Sequence, residues 1–326
     1  MRSLRIGYVL AVAALVLMDC GPSPTSNQKD LNSGRYGTWS WNGSNWTQLA
    51  PASKDPRFPG EQLFFSRALG GLISVSYRDW FNGTTYSGTK WNGAGWVTNE
   101  ASPTEPPRQG NNTTAMVLDG ANDRIVFIDP NAHEALAWSP GGWTSVVSPS
   151  KWPTDRYVDV EGAAYDPDRR NLLIVTCCLF VDSSLATSAW AWDGHALHVL
   201  SPSHPLVGGP FYMVPDGLGH LLAFGKDSSS SWDGVDWSPL ATRANLPKNA
   251  WSVASDPVHR EVFATGRGTP FHVWHWQDGT WNLEPTASSS SGPPDGATSN
   301  LVYDPMLPGF VITVLPEEPG GIVNLP

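Results

Sequence analysis

A chain of 326 residues with 15% charged residues, 32 glycines and 29 prolines reads as short strands joined by many turns, which excludes a helical bundle. Its net charge of −10 and pI near 5.2 leave no basic footprint for DNA, RNA or anionic headgroups, so nucleic acid is excluded as a partner.

Arg2 and Arg5 precede an apolar run from Ile6 to Met18, the basic and hydrophobic regions of a secretory signal, too short to span a bilayer as a helix. Leu17-Met18-Asp19-Cys20 follows, then a tether of Gly, Pro, Ser, Thr and Asn running to about Gly34. This stretch resembles a bacterial lipoprotein signal. The resemblance implies that 1–19 is the signal, Cys20 carries the lipid and 20–35 is flexible, with the protein exported and anchored at the outer face of the envelope. Asp19 stands where such signals carry a small residue, so a secreted form and a retained anchor are the other expectations.

From Tyr36 onward the chain repeats Trp-[Asn/Asp]-Gly-x-x-Trp or a relic of it, with first tryptophans at Trp41, Trp91, Trp138, Trp192, Trp232 and Trp276. Eleven of the 17 tryptophans belong to the motif, and its spacings of 50, 47, 54, 40 and 44 residues fit one four-stranded propeller blade per period. In Trp39-Ser40-Trp41, Trp190-Ala191-Trp192 and Trp274-His275-Trp276, rings two apart share one strand face, and Asn-Gly or Asp-Gly then turns the chain into the next strand. This is the outer pair of a blade, its rings stacked between neighbouring blades.

Between the motifs lies a second hairpin, an apolar strand ending in Asp, a turn, and another apolar strand. Its aspartates are Asp119, Asp166, Asp216, Asp256 and Asp304, with Arg67 expected in the Asp place of the first copy. These are the inner pairs. The chain opens on an outer pair, Tyr36 to Leu49, and closes on an inner pair, Leu301 to Leu315, so the sixth blade is complete only if the two ends meet in one sheet. The expected fold is all-β: a six-bladed propeller over 36–326 as one domain, made of four-stranded antiparallel blades and closed by its terminal strands.

The Tyr-Asp-Pro hairpin followed by Trp-x-Trp-[Asn/Asp]-Gly-x-x-Trp resembles the kelch-type propellers, particularly bacterial exported ones, and the resemblance runs from Tyr36 to the C-terminus. It implies a non-catalytic binding platform for a protein or small ligand, and function belongs to a site rather than to a fold. Three connectors carry an arginine before the inner hairpin: Arg57, Arg108 and Arg156 lie 10, 11 and 10 residues before Arg67, Asp119 and Asp166. An arc of three guanidiniums on one end of the ring suits carboxylate or phosphate oxygens, unless each braces its own connector. Trp152, beside Pro153 and near Arg156, is the off-motif tryptophan most suited to a ligand; Trp80 and Trp251 are the others.

A carbohydrate-binding propeller is the alternative, since exposed indole faces suit sugar rings. Glu161 and Asp159 have the chemistry of a general acid and base, but nothing distinguishes them from ordinary connector carboxylates, so no catalytic residue is expected. His272 and His275, three apart on a strand, point to opposite faces; no metal and no cofactor are expected, and a monomer is. Cys177 and Cys178 read as small buried residues or as a strained pair between neighbours. The sequons at Asn42, Asn45, Asn82, Asn111 and Asn112 read as turn-rich strings.

Overall fold

Several apolar strands end at an Asp whose side chain accepts the backbone N–H groups just ahead of it, as at Asp119, Asp166, Asp256 and Asp304. The computed structural model describes residues 36–51, 62–76, 87–98, 115–130, 132–139, 142–152, 158–178, 187–206, 209, 212–256, 258–266, 271–284, 292–294, 297–298, 300–307 and 309–315. The expected signal 1–19, Cys20 and the tether 20–35 lie outside them.

The chain enters on β1 (Gly37–Trp41) and β2 (Trp46–Pro51), half of blade 1. Blade 2 is β3 (Gln62–Ser66), β4 (Gly71–Ser76), β5 (Ser87–Trp91) and β6 (Trp96–Thr98). Blade 3 is β7 (Ala115–Asp119), β8 (Arg124–Asp129), β9 (Glu134–Ser139) and β10 (Gly142–Val147). Blade 4 is β11 (Val158–Asp166), β12 (Asn171–Cys178), β13 (Thr187–Trp192) and β14 (Leu197–Leu200). Blade 5 is β15 (Tyr212–Pro215), β16 (Leu221–Phe224), β17 (Ser229–Trp232) and β18 (Trp237–Pro239). Blade 6 is β19 (Ala250–Asp256), β20 (Glu261–Gly266), β21 (His272–Gln277) and β22 (Thr280–Leu283). Then β23 (Ala297–Thr298), β24 (Val302–Asp304) and β25 (Gly309–Leu315) complete blade 1.

Blades 2 to 6 are antiparallel meanders, and in blade 1 β1 pairs with β25 from Gly37↔Val314 to Trp41↔Phe310, so the two ends of the propeller close one antiparallel sheet as the hairpin count requires. The inner strands β3, β7, β11, β15, β19 and β24 touch in that cyclic order, with β24 returning to β3. The ring is therefore closed, six-bladed and all-β.

Six apolar clusters fill the six junctions, and each motif tryptophan packs toward the blade before its own. Trp41 and Trp46 meet Phe271 and Val273 of blade 6, Trp91 meets Val311 of blade 1, and Trp138 meets Ile73 of blade 2. Trp192 meets Val126 of blade 3, Trp232 meets Val175 of blade 4, and Trp276 and Trp281 pack on Phe224 of blade 5. Five of the motifs put their two tryptophans directly opposite across the strand pair, with centroids 5.1 to 6.5 Å apart. In the motif turns Asn42 Oδ1 accepts the N–H groups of Ser44 and Asn45, and Asp193 Oδ1 those of His195 and Ala196. Gly43, at φ +92°, supplies the positive φ the turn needs.

The inner hairpins use the same device. Asp119 Oδ1 accepts from Ala121 and Asn122, and Asp166 Oδ1 from Asp168 and Arg169, while both carboxylates are almost fully buried. In blade 2 the register corrects the sequence reading: Ser66↔Gly71 matches Asp119↔Arg124, so Ser66 and not Arg67 holds the Asp place. Ser66 Oγ accepts the Leu69 N–H, and the missing carboxylate comes from the next blade, where Asp123 Oδ2 accepts the Ala68 N–H at 2.6 Å. Arg169 joins blades 4 and 5, bonding Asp166 Oδ2 at 2.8 Å and donating to the carbonyls of Gly219 and Asp233. Replacing Asp166 with Ala strips two N–H groups and one guanidinium of their acceptor, an expected loss of about 1–3 kcal/mol by denaturant unfolding. Asn, which keeps an Oδ1, should lose less.

Candidate functional site: the two ends of the ring

In an antiparallel meander the inner-hairpin turns and the Trp-motif turns emerge together on one end, the turn end. The connectors between blades and the middle loops emerge on the other, the connector end. Arg57, Arg108 and Arg156 belong to connectors whose flanking strands end there, and all three lie outside the described residues, as does Trp80.

Trp152 is described. It is 9% exposed, with His133 stacked on it at 6.2 Å and 19° and Trp190 edge-on at 5.5 Å. It helps line a cavity of about 10 Å³ between blades 3 and 4 among Val126, Ile128, Leu172 and Trp192, space for one water at most. An indole enclosed in this way offers packing, and little open face, to a sugar.

The connector end does hold a feature of the inner strands. Register shifts interrupt β11 between Val160 and Gly162 and β19 between Ala250 and Ser252, leaving Glu161 and Trp251 as the bulged residues. Each lies five residues before its hairpin aspartate, Asp166 or Asp256, so the two bulges occupy equivalent places on blades 4 and 6. A bulge re-aims a side chain at a sheet edge. The same offset reads Glu61, Thr114, Phe211 and Ser299 on the other blades, outside the described residues. Glu161 lies against Gly209, where any Cβ would collide with its carboxylate. Burial, and then the charge of Asp159, pushes the Glu161 carboxyl above its ordinary range; burial does the same for Asp159. The direction follows from partial desolvation, which also arises in structural carboxylates.

His272 stacks on Trp274 and His275 on Phe263, two separate surroundings, and the described residues contain no group of three His, Cys, Asp or Glu side chains spaced for a metal. Cys177 and Cys178 stand opposite Asp159 and Val158 in β11.

The turn end is set by electrostatics. Backbone N–H groups of Ala196 and His195 hold Asp193 down at about 2. A depressed carboxyl contributes stability above its ordinary value that is lost as pH falls through the folded one. His259 Nδ1 lies 2.6 Å from Asp256 Oδ2, and that hydrogen bond, then the charge of Asp256, raises its pKa above 6.5. With the folded value raised, the interaction is complete below 6.5 and lost as pH rises through the folded value. An NMR titration should place the His259 midpoint above 6.5 and Asp256→Asn should return it; a parent midpoint at or below 6.5 contradicts the contact.

No protein-family model matches the sequence, and no curated protein matches it. Solved structures with similar backbones include a mutant Aleuria aurantia lectin in complex with alpha-methyl-L-fucoside, 11% identical, covering 80% of this chain and 96% of that one at a TM-score of 0.48. Others are YCF48 bound to D1 peptide, 15% identical over 87% and 89% at 0.43, and a Bacteroides thetaiotaomicron protein of unknown function, 9% identical over 85% and 76% at 0.49. Likeness at this level says nothing of ligand or reaction. The fold rests on the sheet topology.

Proposed function

We propose that the protein is a non-catalytic binding platform of the cell envelope, kelch-like in plan, that recognises a protein or small ligand through the connector end of its ring. One observation carries this: the repeated tryptophans and aspartates are spent inside junctions and turns, whereas at the connector end the inner strands of blades 4 and 6 bulge at Glu161 and Trp251, where a bulge re-aims a side chain. A rigid ring with differing connectors holds a recognition surface without needing catalytic groups. Arg57, Arg108 and Arg156 are the proposed cationic contacts, with Cys20 as the lipid anchor and a monomer as the working unit. A sugar ligand is the alternative; among the described off-motif tryptophans it rests on half-buried Trp251.

The test is parallel capture: the purified chain is presented to envelope extract of the producing organism and to a glycan array. Saturable retention of a defined protein or small ligand supports the platform. Saturable glycan binding with no protein retained assigns the lectin function, and consumption of a retained ligand with release of product overturns the non-catalytic reading.

A further inference from the structure

We infer that Asn42 and Asn92 are sites of self-modification, at which the nitrogen of the following glycine attacks the side-chain amide and converts the residue to aspartate and isoaspartate. They open the Trp-motif turns of blades 1 and 2 and are exposed together with Gly43 and Gly93. The attacking atoms are unshielded. Gly43 and Gly93 stand at φ +92° and +95°, and a Cβ built on either would meet nothing within 4 Å among the described residues. These turns bond through the N–H groups of Asn42, Ser44 and Asn45 and of Asn92, Ala94 and Gly95, which leaves the glycine nitrogens outside the hydrogen bonding of the described residues.

The turn also prepares the electrophile. Asn42 Oδ1 accepts the N–H groups of Ser44 at 3.1 Å and Asn45 at 2.9 Å, and Asn92 Oδ1 those of Ala94 at 3.0 Å and Gly95 at 2.9 Å. Two backbone donors on one carbonyl oxygen stabilise the negative charge that develops there when a nucleophile adds to the carbon, as in an oxyanion hole. The glycine nitrogen gives up its proton and bonds to Cγ, the adduct expels Nδ2 as ammonia, and a cyclic succinimide remains. Solvent water then opens the ring at one of its two carbonyls. Breaking the new N–Cγ bond leaves aspartate; breaking the original peptide bond leaves isoaspartate.

Blades 4 and 5 supply the contrast. They carry Asp193-Gly194 and Asp233-Gly234 at the equivalent place, with the glycines at φ +96° and +100° and each Oδ1 accepting two N–H groups. There the donors hold the Asp193 carboxyl down at about 2 and that of Asp233 below its ordinary range, so both stay ionised at neutral pH, and a carboxylate resists addition. The donor pair that keeps an aspartate inert activates an asparagine. Aspartate in place of Asn42 or Asn92 reproduces the turns of blades 4 and 5 and adds one negative charge to a net charge of −10. Isoaspartate routes the main chain through Cβ, adding a carbon inside a turn that holds Trp41 opposite Trp46 or Trp91 opposite Trp96, and so disturbs the register of the tryptophan pair.

The experiment holds the purified full chain at neutral pH and follows each asparagine by peptide mapping and mass spectrometry, with enzymatic methylation counting isoaspartate. Asn42 and Asn92 should convert at least tenfold faster than Asn45, Asn122, Asn249 and Asn282, which are also exposed but precede Trp, Asp, Ala and Leu. Asp193→Asn, which places an amide before Gly194, should convert at a rate comparable to that of Asn42. In urea, where the turns are lost, the rates at Asn42 and Asn92 should stay within tenfold of the native ones. Native conversion no faster than at the four comparison residues overturns the proposal. So does a native rate more than tenfold below the denatured one, which would mean that the turn locks the amide, or an Asp193→Asn chain that stays unconverted. The chain's third Asn-Gly, Asn82-Gly83, lies outside the described residues. The reaction is independent of the connector end, and Arg57→Ala/Arg108→Ala/Arg156→Ala should leave its rate unchanged.

Discussion

A chain ending at residue 308 should lose its cooperative unfolding transition altogether instead of melting at a lower temperature. The deletion removes β25, the strand that joins the first and last parts of the chain and holds β1 in register over five residue pairs. With it go Phe310, Val311, Ile312 and Val314, all 3% exposed or less and shared between the junctions on either side of blade 1. At about 1.5–3 kcal/mol for each buried side chain the loss is on the order of 6–12 kcal/mol, against a whole-domain stability of roughly 5–15. The deletion also bares β1 along its length, an unpaired edge that invites association between chains. Circular dichroism melts and light scattering read the result: a broad, non-cooperative trace with aggregation is expected, and a sharp transition at the parent temperature would show that the ring does not depend on its closure.

The second large effect is expected at Trp138, which is 0% exposed at the junction of blades 2 and 3 and packs with Phe64, Leu69, Ile73 and Val75. Trp138→Ala removes the largest side chain of that cluster and leaves a cavity that β strands on both sides are too constrained to fill, at a cost of about 3–5 kcal/mol. For a domain of this size the melting temperature should fall by on the order of 10 °C. Trp96→Ala is the comparison. Its ring is only half-buried and its indole N–H donates to Thr38 Oγ1 at 2.7 Å across the junction with blade 1, so the loss should be smaller. Equal losses at the two positions would contradict the difference in burial between Trp138 and Trp96.

Much of the architecture was legible because its signals are local. Asn-Gly after Trp41 and Trp91 and the carboxylates at Asp119, Asp166 and Asp256 act within four residues of themselves, so these hairpins can be read directly from the sequence. The closure followed from counting those hairpins. The Asp place of blade 2 was misread because its cap is split between Ser66 and Asp123, residues 57 apart whose proximity only the ring creates. Trp152 was open to a ligand reading because it belongs to no repeat, and the His133 ring that covers it comes from a turn 19 positions earlier. The bulges at Glu161 and Trp251 are irregularities of pairing that alternation of apolar residues does not encode. Connectors differ in content from blade to blade, and the near-constant offset of Arg57, Arg108 and Arg156 before the first three inner hairpins is the one period they carry.

The measurement that bears most directly on the connector-end platform is capture from envelope extract by the parent chain and by an Arg57→Ala/Arg108→Ala/Arg156→Ala variant side by side, after equal melting temperatures have shown both to be folded. The account predicts a ligand held by the parent and lost, tenfold or more, by the variant. Equal retention by the two chains would contradict it and remove the arginine connectors from the binding site.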